Sequence, residues 1–484
     1  MNSSFIRPVV YIASLCGLYM ATAMFIPAIT DLYYGNRDWQ NFALSAFIVG
    51  GISLSAGLAT RGRPPAFNKR MGFLLVNVLW LTFSVAGAVP LVIAAKMPFA
   101  KAFFESVSAV TTTGSTVMVG LDNMPRGILM WRSLLQWLGG IGIVALGLFV
   151  LPFLRVGGIA FFKMESSDTN DKPFARLASF TSAFVAIYVA LTVLCIITYD
   201  LLGMSHFDAI NHALTTLPTG GFSTHDSSFG FFGNNVPLLW AATIFMTVAS
   251  LPFSILILFV VRRRLDALRD PQIVLFLGYM AAFVVATAVY ARIANGTDFF
   301  YALTHSAFNF SSLLSTTGYA SLDYTLWGPF MVTLVFAATF VGGCSGSTAG
   351  GIKAYRFVVI FNTIRAGFKM LIYPNAIYRV RYGHIAIDEE VQRSVFLFLS
   401  SYLFLWLLGA AVISAFGFDL TTALTASITA LSNVGPGLGE IVGPAGNFST
   451  MPDTVLYVLS LLMLLGRLEV LTVIVIFTPL FWRD

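Results

Sequence analysis

This chain is poor in charge. Only 10% of its 484 residues are Asp, Glu, Lys or Arg and 57% are hydrophobic, whereas an ordinary soluble domain carries about a quarter charged residues. A water-soluble globule is excluded. Cysteine is scarcer still: Cys16, Cys195 and Cys344 are odd in number, far apart, and within or beside apolar segments. No disulfide framework and no CxxC metal site follows from such a set. GxSxG, HExxH and Walker patterns are absent from the chain, which removes the common hydrolase, zincin and nucleotide-binding signatures. The net charge is +6, but the basic residues are spread through loops and not gathered into one patch with aromatic partners, so a nucleic-acid partner is not expected. Period-two alternation is missing as well. Residues 391–416 and 455–477 are apolar on every face, where a membrane β-barrel would show short segments of alternating polarity.

Long apolar runs are what the chain has instead. A spanning helix needs ~20 mainly apolar residues, and candidate spans lie at 8–29, 43–59, 71–95, 129–154, 180–202, 236–261, 273–293, 329–341, 391–416 and 454–477. Arg7, the apolar run to Met20 and Ala21-Thr22-Ala23 imitate a cleaved signal peptide. The run continues to Ile29, however, long enough to span. Four shorter stretches, 99–110, 207–217, 299–314 and 420–431, suit re-entrant helices better than spans. The expected fold is an all-α polytopic membrane protein with ten transmembrane helices and four re-entrant pore helices.

The positive-inside rule orients it. With a cytoplasmic N-terminus, 21 of the 28 basic residues fall inside, among them Arg63, Arg155, Lys163, Lys172, the Arg262-Arg263-Arg264 run and Arg483. The four short stretches and twelve of the 22 acids then fall outside. An acidic outer mouth attracts cations.

Each short stretch ends in a glycine-containing turn, and the four turns stack: Thr112-Thr113-Gly114, Thr219-Gly220-Gly221, Thr316-Thr317-Gly318 and Asn433-Val434-Gly435. The aligned glycines are 107, 97 and 117 residues apart, room for one unit of span, re-entrant helix, turn and span. Helix breaks at membrane depth are tolerated only where the backbone is buried in protein or lines a water-filled path. Four of them imply a pore around a pseudo-fourfold axis. A dehydrated alkali cation needs oxygen ligands in place of its water shell, and carbonyls and threonine hydroxyls supply neutral ones. Glycine lets successive carbonyls point inward. None of the turns carries an acid, so divalent ions are not favoured.

These turns, with Thr219-Gly220-Gly221-Phe222-Ser223-Thr224-His225, the run Gly342-Gly343-Cys344-Ser345-Gly346-Ser347-Thr348-Ala349-Gly350-Gly351, Asn433-Val434-Gly435-Pro436-Gly437 and Gly466-Arg467-Leu468-Glu469, resemble the Trk/Ktr/HKT superfamily of potassium transporters, most closely its bacterial TrkH/TrkG branch. The resemblance covers essentially the whole chain. It implies that the twelve turn residues form the potassium filter, with K+ as the transported ion. It also implies that Gly342 to Gly351 is an intramembrane gate, with Arg467 projecting toward the pore beneath the filter. The protein would be a homodimer in the bacterial inner membrane, both termini cytoplasmic, regulated by a cytosolic TrkA-like ring that binds NAD and adenine nucleotides. This chain would bind no nucleotide itself and would not be an enzyme. The units would be a two-helix leader (1–68) and four pore repeats (69–175, 176–269, 270–388 and 389–484). Since the turns differ from one another, selectivity over sodium is expected to be less strict than in symmetrical potassium channels.

Plainer readings compete at several residues. The run 342–351 could be a helix kink, and Arg467 could pair with Glu469. His206, Asp208 and His212 have a spacing that hints at a metal, and so at a membrane-embedded enzyme, but Asp208 is more simply a helix cap or dipole partner. A secondary transporter with broken helices would show two inverted halves in place of four same-sense repeats.

Overall fold

The structure is a computed structural model that describes residues 6–62, 68–146, 173–263, 265–375 and 378–482. The basic residues Arg63, Arg155, Lys163, Lys172, Arg264 and Arg483, and the end of the expected 129–154 span, lie outside the described residues. Apart from a small hairpin pairing Arg381–Tyr382 with Ile385–Ala386, the described elements are helical.

Seven helices are long and apolar enough to cross a bilayer: Ile6–Tyr33, Trp39–Thr60, Lys69–Ile93, Arg126–Ala145, Phe180–Leu201, Pro271–Asn295 and Glu389–Ala415. Two further runs are broken, so the described residues hold up to nine spans. Three of the ten expected spans are not continuous helices. The run 236–261 bends by 100° between Val236–Ala249 and Phe253–Val260, where Pro252 cannot donate to the helix ladder. The run 454–477 bends by 114° between Asp453–Arg467 and Val470–Phe477, with Glu469 at φ 64° in the break. The run 329–341 forms only the ten-residue helix Pro329–Ala338.

Backbone groups freed by the first break are not left bare. Ser250 O accepts from Cys344 N at 3.0 Å, and Phe253 N donates to Gly346 O at 2.9 Å. A buried unpaired amide is costly, so the glycine-rich run 342–351 and the broken helix complete each other's hydrogen bonding.

Four short helices, Phe99–Val110, His206–Thr216, Phe299–Leu314 and Leu420–Ser432, sit inside this frame. At 1.5 Å per residue they are too short to cross ~30 Å of hydrocarbon. Small Ala, Ser and Thr side chains let neighbours approach closely, and residues 422–432 face protein almost without interruption. Side-chain caps start three of them: Ser205 accepts from Asp208 N, Asp298 from Tyr301 N and Asp419 from Thr422 N. Ser205, not Asp208, is therefore the cap of the second, and Asp208 returns a bond by accepting from Ser205 Oγ at 2.6 Å. Large apolar side chains such as Leu194, Ile197, Val285 and Ile293 are exposed along the spans, as a lipid-facing rim requires.

Candidate functional site: a closed ring of four turns

Each short helix ends in the same way. The N–H of Thr113, Gly220, Thr317 and Val434 returns to the carbonyl five residues back, at 2.8, 2.8, 2.8 and 3.0 Å. The N–H of the preceding residue returns three residues. That is a Schellman ending, whose left-handed residue is usually glycine. Here it is Thr112 (φ 51°), Thr219 (55°), Thr316 (58°) and Asn433 (56°). A non-glycine residue in this region costs on the order of 1–3 kcal/mol and persists only where its surroundings over-determine it. Four copies in register mark a shape worth that cost.

The second left-handed position is the aligned glycine: Gly114 (φ 86°), Gly221 (75°), Gly318 (85°) and Gly435 (109°). A methyl on Gly114 would lie 2.3 Å from Gly220 O, one on Gly221 1.8 Å from Thr317 O, one on Gly318 2.1 Å from Val434 O, and one on Gly435 2.8 Å from Thr113 O. Turn one meets two, two meets three, three meets four, and four meets one. The structure thus brings all twelve turn residues into one closed ring. All four glycines line a cavity of about 270 Å³ that opens beyond the ring. Thr112 Oγ1 and Asn433 Oδ1 are buried oxygens with no hydrogen-bond partner among the described residues. Buried polar atoms are rarely left so.

The run Gly342 to Gly351 lies against the ring. Gly350 N donates to Thr316 Oγ1 at 2.6 Å, Gly351 N donates to Ser432 O at 2.8 Å, and Thr348 Oγ1 donates to Leu217 O at 3.0 Å. Three of the four short helices or their turns are touched. Arg467 Nη2 donates to Thr348 O at 2.5 Å, while its Nε and Nη1 have no partner among the described residues. Pairing of Arg467 with Glu469 is not what the structure holds, because Glu469 takes Arg356 as its ion-pair partner. Lys353 Nζ closes the run by donating to Ala349 O.

Two supports of the ring were not anticipated. Gln136 reaches the second turn, as described below. Glu105 and Arg132 form a buried ion pair at 2.9 Å, with side chains 0% and 2% exposed. Glu105 also accepts from Thr116 Oγ1 and Val117 N, and Arg132 donates to Ser223 O at 3.1 Å with its guanidinium 4.1 Å from the Phe222 ring centroid. The segments leaving turns one and two are thereby tied together. Removing one partner of a buried pair costs about 3–5 kcal/mol because it strands the other charge. Arg132→Met is expected to lower thermal stability by that order, and Glu105→Gln added to it to restore part. A single variant as stable as wild type would show the pair to be idle.

Beyond the ring, His225 lies between the segment after turn one and the start of the second short helix. Its Nδ1 is 2.5 Å from Asp122 Oδ1, its Nε2 is 3.6 Å from Asp208 Oδ1, and its ring stacks on Phe231 at 3.7 Å. Burial works against the imidazolium, but the neighbouring Asp208 and Asp122 carboxylates outweigh it and raise the His225 pKa. The hydrogen bond from His225, the largest influence on Asp122, lowers that carboxyl's pKa. Stabilisation from His225 is thus complete below about 6.5 and lost as pH climbs through its raised value. That from Asp122 is present above about 3.9 and lost as pH falls through its lowered value. The melting temperature of wild type should therefore drop between pH 6 and pH 9, and His225→Gln should flatten that drop; parallel curves would dismiss the bridge. His206 instead pairs with Asp200 at 2.6 Å, and among the described residues no group of three or more His, Cys, Asp or Glu could hold a metal ion.

Spans of this number around a ring of intramembrane turns define a multi-pass helical membrane protein. The family model described as TrkH, cation transport protein, matches residues 40–290 and 288–483. The chain is 41% identical over 479 residues to the Trk system potassium uptake protein TrkI of Halomonas elongata, covering 99% of this chain and 97% of that one. It is 33% identical over 484 residues to the Trk system potassium uptake protein TrkH of Escherichia coli, covering 99% of each. The crystal structure of the potassium transporter TrkH from Vibrio parahaemolyticus superposes with a TM-score of 0.91 at 31% identity, over 100% of both chains. This chain belongs to the TrkH family of cation transport proteins, and it is a transporter rather than an enzyme.

Proposed function

We propose that the chain carries potassium across the bacterial inner membrane, with the ring of turns as its filter. The observation that carries this reading is the ring itself: four neutral turns in one repeated backbone shape, closed on one another. Thr112 Oγ1 and Asn433 Oδ1, unpartnered among the described residues, are oxygens of the kind an alkali cation takes in exchange for water. Potassium is also the ion named for the relatives in Halomonas and Escherichia coli.

The finer reading follows the same lines. The leader (1–68) would brace four pore repeats with boundaries near 175, 269 and 388, the short helices entering from outside and both termini cytoplasmic. The run Gly342 to Gly351 would be the gate, since its contacts reach Thr316, Leu217 and Ser432. Arg467 would place positive charge beneath the filter. A cytosolic TrkA-like partner sensing NAD and adenine nucleotides would move that gate, and two copies of the chain would form a homodimer. Supporting the partner is the lack of any nucleotide motif in this chain.

Reconstitution in liposomes tests the central claim, with potassium, rubidium and sodium uptake measured separately. Potassium and rubidium should enter several times faster than sodium. Equal rates for all three would overturn the filter reading.

A further inference from the structure

The second turn departs from its neighbours at its middle residue. Thr113, Thr317 and Val434 have side chains there, while Gly220 has none. In the first and third turns the middle hydroxyl is held by one two residues earlier: Thr111 Oγ1 to Thr113 Oγ1 at 2.8 Å and Ser315 Oγ to Thr317 Oγ1 at 2.6 Å. In the second turn that earlier residue is Pro218, which offers no such group.

Gln136 fills the gap. It lies midway along Arg126–Ala145, fully buried, and spends both ends of its amide on the turn. Its Nε2 donates to Gly220 O at 2.7 Å, and its Oε1 accepts from Phe222 N at 3.1 Å. Because a backbone N–H can only donate and a carbonyl can only accept, these partners also settle which way the amide faces. A methyl on Gly220 would come within 2.4 Å of Gln136 Cδ and Oε1. The missing side chain and the incoming glutamine therefore occupy one space.

Four carbonyls sit at the seams of the ring: Thr113, Gly220, Thr317 and Val434. Among the described residues only Gly220 O receives a hydrogen-bond donor. Resting on the potassium reading above, we infer that Gln136 is a positioning residue for ion discrimination, which anchors the Gly220 carbonyl and makes the filter three free oxygens plus one tethered oxygen. Sodium, being smaller, demands that ligands close in around it. A tethered carbonyl resists that closure.

The test uses the full chain in liposomes, reading the potassium-to-sodium uptake ratio with thermal melting as the check on folding. Gln136→Leu removes both bonds, and Gln136→Glu keeps the acceptor for Phe222 N but not the donor for Gly220 O. One net hydrogen bond is worth a factor of about 2–12 in an equilibrium, so either variant should lower the ratio by about three- to tenfold while potassium still enters. Gly220→Thr alone should stop transport, and Gly220→Thr with Gln136→Ala should recover it with a changed ratio. A ratio within twofold of wild type in folded Gln136→Leu, or in Gln136→Glu if the leucine variant does not fold, overturns the inference. So does a double variant no better than Gly220→Thr alone. A wild-type chain without potassium preference would overturn the transport reading, and this inference with it.

Discussion

Gly221→Ala is expected to abolish potassium preference and most potassium uptake. Its methyl would sit 1.8 Å from Thr317 O and 2.8 Å from Thr317 C, atoms of the backbone that have no rotamer to yield. The residue is also held at φ 75°, which costs roughly 1–2 kcal/mol for any residue with a Cβ. The neighbouring turn must retreat, taking the Thr317 carbonyl, a proposed ion ligand, with it. Since ~1.4 kcal/mol is tenfold in an equilibrium constant, one misplaced ligand suffices to erase discrimination. The clearances of 1.8, 2.1, 2.3 and 2.8 Å at Gly221, Gly318, Gly114 and Gly435 set an order of severity. Uptake ratios of the four alanine variants in liposomes check it, and four ratios equal to that of wild type would sink the filter assignment.

Deleting Ser345 to Thr348 should have the opposite sign, raising basal potassium flux by about tenfold or more and removing the response to the nucleotide-sensing partner proposed above. The segment carries the Thr348 bonds to Leu217 O and Ala249 O, and the carbonyl to which Arg467 donates. Without it the guanidinium loses its anchor under the ring. A unit charge ~8 Å from a permeating cation, at an effective dielectric of ~20, imposes a barrier of about 2 kcal/mol. Gly350→Ala is the milder companion, because its methyl would meet Ser432 O at 2.4 Å and push the run off the fourth turn. Flux with and without the partner is the measurement. A folded deletion variant with wild-type flux and an intact nucleotide response would reduce the run to a kink.

The turns could be located from sequence because glycine at a helix end has few other uses. The left-handed residue two places before each glycine could not. Thr112, Thr219 and Thr316 are β-branched, a type that avoids positive φ, and only closure of the ring explains why they accept it. Hydropathy averages over a window, so the breaks at Pro252 and Glu469 passed as continuous spans; Pro252 was the available signal for one, and a lone acid in an apolar run for the other. The pairings of Glu105 with Arg132 and Arg356 with Glu469 bridge 27 and 113 residues, separations that no local pattern encodes. Gln136, a single amide between Leu135 and Trp137, carries no local sign of its target.

The ring has four seams and one circumference. A displacement at any turn must be taken up at the two beside it, so the third turn, which Gly350 touches through Thr316, cannot shift alone. Such a hoop fails as a whole. Substitutions at adjacent seams, close enough to couple, should then cost less together than the sum of their separate effects, because the first has already opened what the second would break.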